Sequence, residues 1–131
     1  DGDFDIYAVS VDGEATVQLT NSSGVDTSAA WSPEGRTIAF SSNRSGSFRL
    51  YLMNPDGSDQ RVIPIPIEGQ LPADEAPSWS PDGRFIAFVS ERDYNPEIYV
   101  ISIDGGFLRR LTYFPGEERW PSFRPDPSML P

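Results

Sequence analysis

The chain contains no cysteine and no histidine among its 131 residues, and all ten of its basic residues are arginine. Without cysteine there is no disulfide and no thiolate zinc site, and cysteine usage says nothing about the redox compartment. Without histidine there is no Ser-His-Asp or Cys-His catalysis, no histidine-ligated metal and no histidine pH switch in this chain.

The formal net charge of −10 also limits the possible partners. A nucleic-acid backbone needs a basic surface, so nucleic acid is not expected as a partner, whereas cationic partners are favoured. Neither a signal peptide nor a transmembrane segment is visible in the sequence. Thirteen Pro and eleven Gly, together with many Val, Ile, Phe and Tyr, predict an all-β fold with frequent turns and almost no helix.

One ten-residue sequence occurs twice with small changes. Residues 31–40 read WSPEGRTIAF, and residues 79–88 read WSPDGRFIAF. Proline presets φ for the first corner of a type I turn, the acidic residue takes the second corner, and glycine supplies the positive φ that follows. Each copy therefore predicts the end of a strand A, a hairpin turn and a strand B.

The repeat has a period in the forties. The aromatic residues Trp31, Trp79 and Phe123 are separated by 48 and then 44 residues. We expect these three to pack between blades. A period of this length, built from short strands and turns, is typical of a propeller blade. The predicted strands are A (29–32 and 77–80), B (36–42 and 84–90), C (4–11, 48–54 and 97–103) and D (15–20, 60–65 and 108–113).

The predicted fold is a partial β-propeller of four-stranded antiparallel blades that spans residues 1–124. Residues 4–20 supply strands C and D of one blade, residues 29–65 and 77–113 supply two complete blades, and residues 120–124 supply a lone strand A. Residues 125–131 form a Pro-rich tail, because Pro127 replaces the turn glycine and cannot take a positive φ. Propellers have about four to eight blades. We therefore expect a six-bladed ring completed by a longer parent chain or by a second copy.

The motif residues resemble a known family. Residues 77–90 read PSWSPDGRFIAFVS, and they are followed by Ile-Tyr-Val at 98–100, by Asp104-Gly105 and by Arg-Arg-Leu-Thr at 109–112. This pattern closely resembles the WD40-like PD40 repeats of the TolB β-propeller. The likeness covers nearly the whole chain, and it implies a propeller.

The resemblance also leads to two functional hypotheses. The first is a non-enzymatic, TolB-like platform for protein-protein interaction in a periplasmic or secreted setting. The alternative is a propeller segment of a prolyl-oligopeptidase-like or tricorn-like serine hydrolase that gates or docks substrate, because the same repeat occurs in those enzymes. A Gly-x-Ser-x-Gly elbow and a histidine downstream in the parent chain would establish the second hypothesis.

Three acidic residues precede the strand A aromatics by five positions, namely Asp26, Asp74 and Glu118. Because strand A is the innermost strand of a blade in the resembling family, these carboxylates would ring the mouth of the central channel. Such a ring would bind Ca²⁺, another hard cation or a basic segment of a partner. In the structural alternative, which we favour, each carboxylate accepts hydrogen bonds from loop amides or caps a turn. No cofactor is expected apart from this Ca²⁺ option.

Three further residues are candidates for contact with a partner. Arg44 and Arg92 each follow the last serine of strand B by two positions. They would bind a partner carboxylate or, as we favour, form a salt bridge between blades to the acidic ring. Trp120 has no aromatic counterpart in the other copies, so it is either an exposed contact residue or a plug under the terminal blade.

Overall fold

The computed structural model describes residues 4–65, 73–92 and 95–112. These residues form ten strands and no helix, so they contain no helix that is long and apolar enough to cross a membrane. The strands are β1 Tyr7–Val9, β2 Thr16–Gln18, β3 Asp26–Trp31, β4 Ile38–Ser42, β5 Arg49–Met53, β6 Arg61–Val62, β7 Asp74–Trp79, β8 Phe85–Ser90, β9 Glu97–Ser102 and β10 Leu108–Arg110. The lone strand A predicted at 120–124 and the tail at 125–131 lie outside the described residues.

The strands form three antiparallel sheets. Strands β3 to β6 form one four-stranded sheet in sequential order, and β7 to β10 form another, while β1 pairs with β2 alone. We call β3–β6 the first blade, β7–β10 the second blade and β1–β2 the leading hairpin. The predicted all-β class and the predicted four-stranded antiparallel blades are confirmed.

The repeated turn motif adopts the predicted hairpin in both blades. The Gly35 amide donates to the Ser32 carbonyl at 2.9 Å, and the Gly83 amide donates to the Ser80 carbonyl at 3.0 Å. Both glycines have positive φ, +72° and +73°, which only glycine takes without steric cost. The proline, acidic residue and glycine of the motif therefore serve the turn.

Strand A is longer than the sequence pattern predicts. It begins at Asp26 in the first blade and at Asp74 in the second, three residues before the predicted starts. The register shifts between Thr27 and Ala30, where Ser28 has a φ of +58°, and Ala76 has a φ of +55° at the same place in the second blade. On the N-terminal side of this bulge, strand A pairs with strand B again, so Asp26 and Asp74 lie within the sheet.

The sheets stack face to face with apolar side chains between them. One face of the first blade packs on the leading hairpin in a cluster of Ile6, Leu19, Ile38, Phe40, Tyr51 and Met53. The other face packs on the second blade in a cluster of Ala39, Leu50, Leu52, Ile63, Ile65, Ile86, Phe88, Tyr99 and Ile101. A fully buried side chain of this size contributes about 1.5–3 kcal/mol, so these interfaces supply much of the stability.

The two strand A tryptophans have different environments. Trp79 packs against the cluster between the blades, and its indole N–H donates to the Ala30 carbonyl of the first blade at 2.9 Å. Trp31 is 53% exposed, so the prediction that it packs between blades is wrong for the described chain. The physical reason is that the leading hairpin contributes no strand A, which is the element that receives Trp79 in the next blade.

Candidate functional site

The first predicted acidic residue is buried at the start of strand A. Asp26 is the first residue of β3 and is 1% exposed. Its Oδ1 accepts a hydrogen bond from Nη2 of Arg44 at 3.1 Å, and its Oδ2 accepts one from the Ser22 hydroxyl at 2.8 Å. Both oxygens of this carboxylate are therefore occupied by donors of the chain itself.

The second predicted acidic residue has an equivalent arrangement. Asp74 is the first residue of β7 and is 0% exposed. Nη2 of Arg92 lies 3.0 Å from its Oδ1 and 2.9 Å from its Oδ2. Both Asp–Arg pairs lie within one blade, so the favoured prediction of a salt bridge between blades is wrong in this respect. The strand A bulge brings the carboxylate opposite the end of strand B of its own sheet.

Each of these arginines is held on three sides. Nε of Arg44 donates to the hydroxyl of Ser42 at 2.9 Å, and its guanidinium carbon lies 5.3 Å and 4.8 Å from the ring centroids of Phe40 and Tyr51. The second blade repeats this arrangement 48 residues later with Ser90, Arg92, Phe88 and Tyr99. A planar guanidinium suits this combination of a carboxylate, a hydroxyl and two stacked rings, which an ammonium group would not match. We call each set of Asp, Ser, Arg and two aromatic residues an Asp–Arg box.

Each box also lies at a junction between neighbouring sheets. The Asp26 amide donates to the Phe4 carbonyl of the segment that leads into β1 at 2.8 Å, and the Asp74 amide donates to the Phe48 carbonyl, just before β5, at 3.0 Å. Gln60 adds a second link at the first junction. It accepts a hydrogen bond from Nη1 of Arg44 and donates to the Leu19 carbonyl of the leading hairpin. The boxes therefore fix strand A against the preceding sheet.

The two aspartates differ in their pKa. Burial opposes ionisation of Asp26, but hydrogen bonds from Ser42, Ser22 and Arg44, with the charge of Arg44, outweigh it and lower the pKa of Asp26. Burial dominates at Asp74 and raises its pKa, although Arg92, Ser90 and the more distant Arg49 all favour the charged form. Among the described residues, Asp26 has an additional hydroxyl donor in Ser22, whereas burial weighs more heavily on Asp74.

A third buried charge was not identified from the sequence. Glu97, the first residue of β9, is fully buried, and its Oε2 accepts hydrogen bonds from Thr112 at 2.9 Å and from Arg110 at 3.2 Å. The equivalent strand C positions of the earlier copies hold Asp5 and Arg49. Because the charge changes sign between copies, the repeat pattern gave no signal here. By contrast, the serines and aromatics of the Asp–Arg boxes recur at constant spacing and could have been found from it.

The remaining predicted site residues, Glu118 and Trp120, lie outside the described part of the chain. Their predicted roles in a channel ring and in partner contact therefore stay predictions. Within residues 4–65, 73–92 and 95–112, no group of three or more carboxylate, histidine or cysteine side chains is placed to hold a metal ion. The geometry of the two boxes suits structural cross-links at the junctions.

Comparison with known proteins extends these observations to a family. Residues 1–71 match the family described as "PD40: TolB beta propeller domain". The chain is 42% identical over 55 residues to the Tol-Pal system protein TolB of Bordetella pertussis, which covers 41% of this chain and 13% of that protein. It also matches an uncharacterized protein of Agrobacterium fabrum at 36% identity over 55 residues, 42% of this chain and 19% of that protein. The chain thus spans less than a fifth of the length of these curated relatives.

Solved structures give the same result. A putative TolB from Agrobacterium tumefaciens superposes with a TM-score of 0.69 at 28% identity, over 81% of this chain and 40% of that one. TolB from Acinetobacter baumannii gives a TM-score of 0.68 at 29% identity, over 81% and 26%. A puromycin hydrolase gives a TM-score of 0.62 at 19% identity, over 79% of this chain and 18% of that one. This match shows a shared fold and nothing more. The repeat motif, the two four-stranded blades and these matches agree, and the chain belongs to the PD40 family of TolB β-propeller domains.

Proposed function

We propose that this chain is part of a non-enzymatic, TolB-like β-propeller that acts as a platform for protein-protein interaction outside the cytoplasm, in the periplasm or beyond the cell. The observation that carries the proposal is the match to a Tol-Pal system protein at 42% identity, with 28–29% identity to two TolB structures over 81% of the chain. The printed name of the Bordetella relative places that protein in a Tol-Pal system. Another protein of a Tol-Pal system is therefore the proposed class of partner.

In this proposal the buried charges hold the blades together and leave recognition to the exposed turns and loops. Asp26 and Asp74 are structural, because each carboxylate is used by an arginine of its own blade. Arg44 and Arg92 position their blades by the same contacts and do not bind the partner. Glu118 and Trp120 remain candidates for partner contact. No cofactor takes part, and Ca²⁺ has no role.

We further propose that the ring is completed by additional blades to a total of six. Within the described residues, strand β1 is paired on one edge only, whereas the equivalent strands β5 and β9 are each paired on both edges. Tyr7 and Val9 of β1 are more than half exposed, whereas the equivalent Tyr51 and Met53 are buried in the next copy. A preceding strand A and strand B would cover these residues and Trp31 at once. They would come from a longer parent chain or from a second copy.

The proposal is tested on the whole protein as its gene encodes it. Isothermal titration calorimetry against the other purified proteins of the Tol-Pal system encoded in the same genome is expected to give saturable binding with one of them. Hydrolysis of aminoacyl p-nitroanilides is expected to equal the buffer blank, and millimolar Ca²⁺ is expected to leave the melting temperature and the binding unchanged. Hydrolysis by a protein that binds no component of the Tol-Pal system would overturn the proposal and favour the serine-hydrolase alternative.

A further inference from the structure

The glycines of the C–D turns have the same conformation in all three copies. Gly13, Gly57 and Gly105 have φ values of +76°, +87° and +79°. In each turn the glycine amide donates to the carbonyl of the residue three positions earlier at 2.9 Å. The turn therefore requires glycine for its own geometry. Any difference in what surrounds these three glycines comes from the neighbouring unit and not from the turn.

Two of the three C–D turns pack against the unit that precedes them. A Cβ on Gly57 would lie 2.6 Å from the carbonyl oxygen of Leu19, and a Cβ on Gly105 would lie 2.8 Å from that of Pro64. Leu19 follows β2 and Pro64 follows β6, so both contacts are made at the end of strand D of the preceding sheet. By contrast, a Cβ on Gly35 in the A–B turn of the first blade would meet nothing within 4 Å among the described residues. The close approach thus belongs to the junction between units.

An apolar contact accompanies each of these turn contacts. Leu19 and Ile63 are equivalent residues at the end of strand D, and both are buried. Leu19 belongs to the apolar cluster that contains Tyr51 of the first blade, and Ile63 belongs to the cluster that contains Tyr99 of the second blade. Each junction therefore has two parts, namely a backbone carbonyl against the turn glycine and a large apolar side chain in the cluster of the strand C tyrosine.

The leading hairpin carries the receiving half of the same junction. A Cβ on Gly13 would meet nothing within 4 Å among the described residues, although its turn has the conformation of the other two. Tyr7 and Val9 of this hairpin are 54% and 62% exposed, whereas the equivalent Tyr51 and Met53 are 8% and 0% exposed. The described chain thus covers this surface in two copies and leaves it uncovered in the first.

We propose that the outer face of the leading hairpin, formed by Tyr7, Val9 and Gly13, receives the end of strand D of a preceding PD40 blade of the same protein. A carbonyl of that strand lies against Gly13, and a large apolar side chain beside it packs on Tyr7, as in the two junctions of the described chain. The matches to two TolB structures cover only 40% and 26% of those chains, so one chain of this family has room for further blades. The inference rests on the proposed function, because it specifies one contact of the proposed ring.

Three glycine variants of the whole protein test this contact. Gly13→Ala, Gly57→Ala and Gly35→Ala all place alanine at a positive φ, so they share the backbone strain, and only a docked neighbour adds a clash. We expect Gly13→Ala to lower the melting temperature as much as Gly57→Ala does, to at least about 3 °C below the value for Gly35→Ala. Equal melting temperatures for Gly13→Ala and Gly35→Ala would refute the contact.

Hydroxyl-radical footprinting of the wild-type whole protein separates this inference from the proposed function. We expect Tyr7 to be oxidised as slowly as the buried Tyr51, at all protein concentrations. If Tyr7 is protected but Gly13→Ala behaves like Gly35→Ala, the ring stands and the strand D contact is refuted. If Tyr7 is oxidised much faster than Tyr51, the ring and the contact both fail, while binding to a Tol-Pal protein would still support the platform. Loss of Tyr7 protection on dilution would refute a blade of the same protein chain and assign the contact to a second copy.

Discussion

Replacing Asp26 or Asp74 by asparagine removes the same carboxylate from two equivalent junctions, and we expect the two changes to respond to pH in opposite directions. Both side chains are buried, and both pair with an arginine of their own blade. Asparagine keeps an oxygen that accepts hydrogen bonds but removes the negative charge. The comparison therefore isolates the electrostatic part of each Asp–Arg box.

At the first junction the folded state favours the ionised carboxylate. Because the pKa of Asp26 is lowered below its ordinary value of 3.8, the unfolded chain binds the proton more tightly than the folded chain does. The wild type therefore has this stabilisation above pH 3.8 and loses it as the pH falls through the folded-state pKa. The stability difference between wild type and Asp26→Asn is expected to shrink on acidification below pH 3.8.

At the second junction the sign is reversed. Burial raises the pKa of Asp74 above 3.8, so the folded chain binds the proton more tightly than the unfolded chain does. Between the raised pKa and pH 3.8, the free energy of unfolding of the wild type rises as the pH falls. Asp74→Asn lacks this gain. The stability of the wild type relative to this variant is therefore expected to increase on acidification within that window.

The expected sizes at pH 7 also differ. Asp26→Asn loses a charge-assisted hydrogen bond from Arg44, which is worth about 1.5–3 kcal/mol. Asp74→Asn loses a similar bond from Arg92 but also removes the burial cost that raises the pKa of Asp74, so a smaller loss is expected. Urea unfolding followed by tryptophan fluorescence across the acid range measures both stability changes. If the stability difference from the wild type changed in the same direction for both variants as the pH falls, this reasoning would be refuted.

Two further predictions concern the junctions. Trp79→Phe removes the donor to the Ala30 carbonyl and is expected to lower the free energy of unfolding by about 1–2 kcal/mol. Trp31→Phe is expected to lower it by less than about 0.5 kcal/mol. Equal urea midpoints for the two variants would contradict the contact between Trp79 and Ala30. Gly57→Ala would place a Cβ 2.6 Å from the Leu19 carbonyl oxygen at a φ of +87°, whereas a Cβ at Gly35 would meet nothing within 4 Å. In the same unfolding assay, backbone strain is expected to lower the free energy of unfolding of Gly35→Ala by about 1–2 kcal/mol. Gly57→Ala is expected to lose more, because it adds the clash.

The sequence predicted the fold because its turn chemistry is explicit. Proline, an acidic residue and glycine at fixed spacing specify the A–B hairpin, and the period of the repeat specifies how many strands lie between hairpins. The early start of strand A could not be predicted in this way, because it depends on positive φ values at Ser28 and Ala76. Neither residue type signals that conformation, so the bulge and the burial of the adjacent aspartates are properties of the folded sheet.

The environment of Trp31 could not be predicted from its repeat motif, since Trp31 and Trp79 occupy the same motif position and differ only in the sheet that precedes them. The energy of a junction in a repeat array belongs to a pair of neighbouring units. The first position of strand C, which holds Asp5, Arg49 or Glu97, shows the same dependence. Arg49 favours the ionised form of Asp74 in the next blade, and an acidic residue in its place would oppose it. The turns are thus uniform across the copies, while the charge at this position makes each junction chemically different from the next.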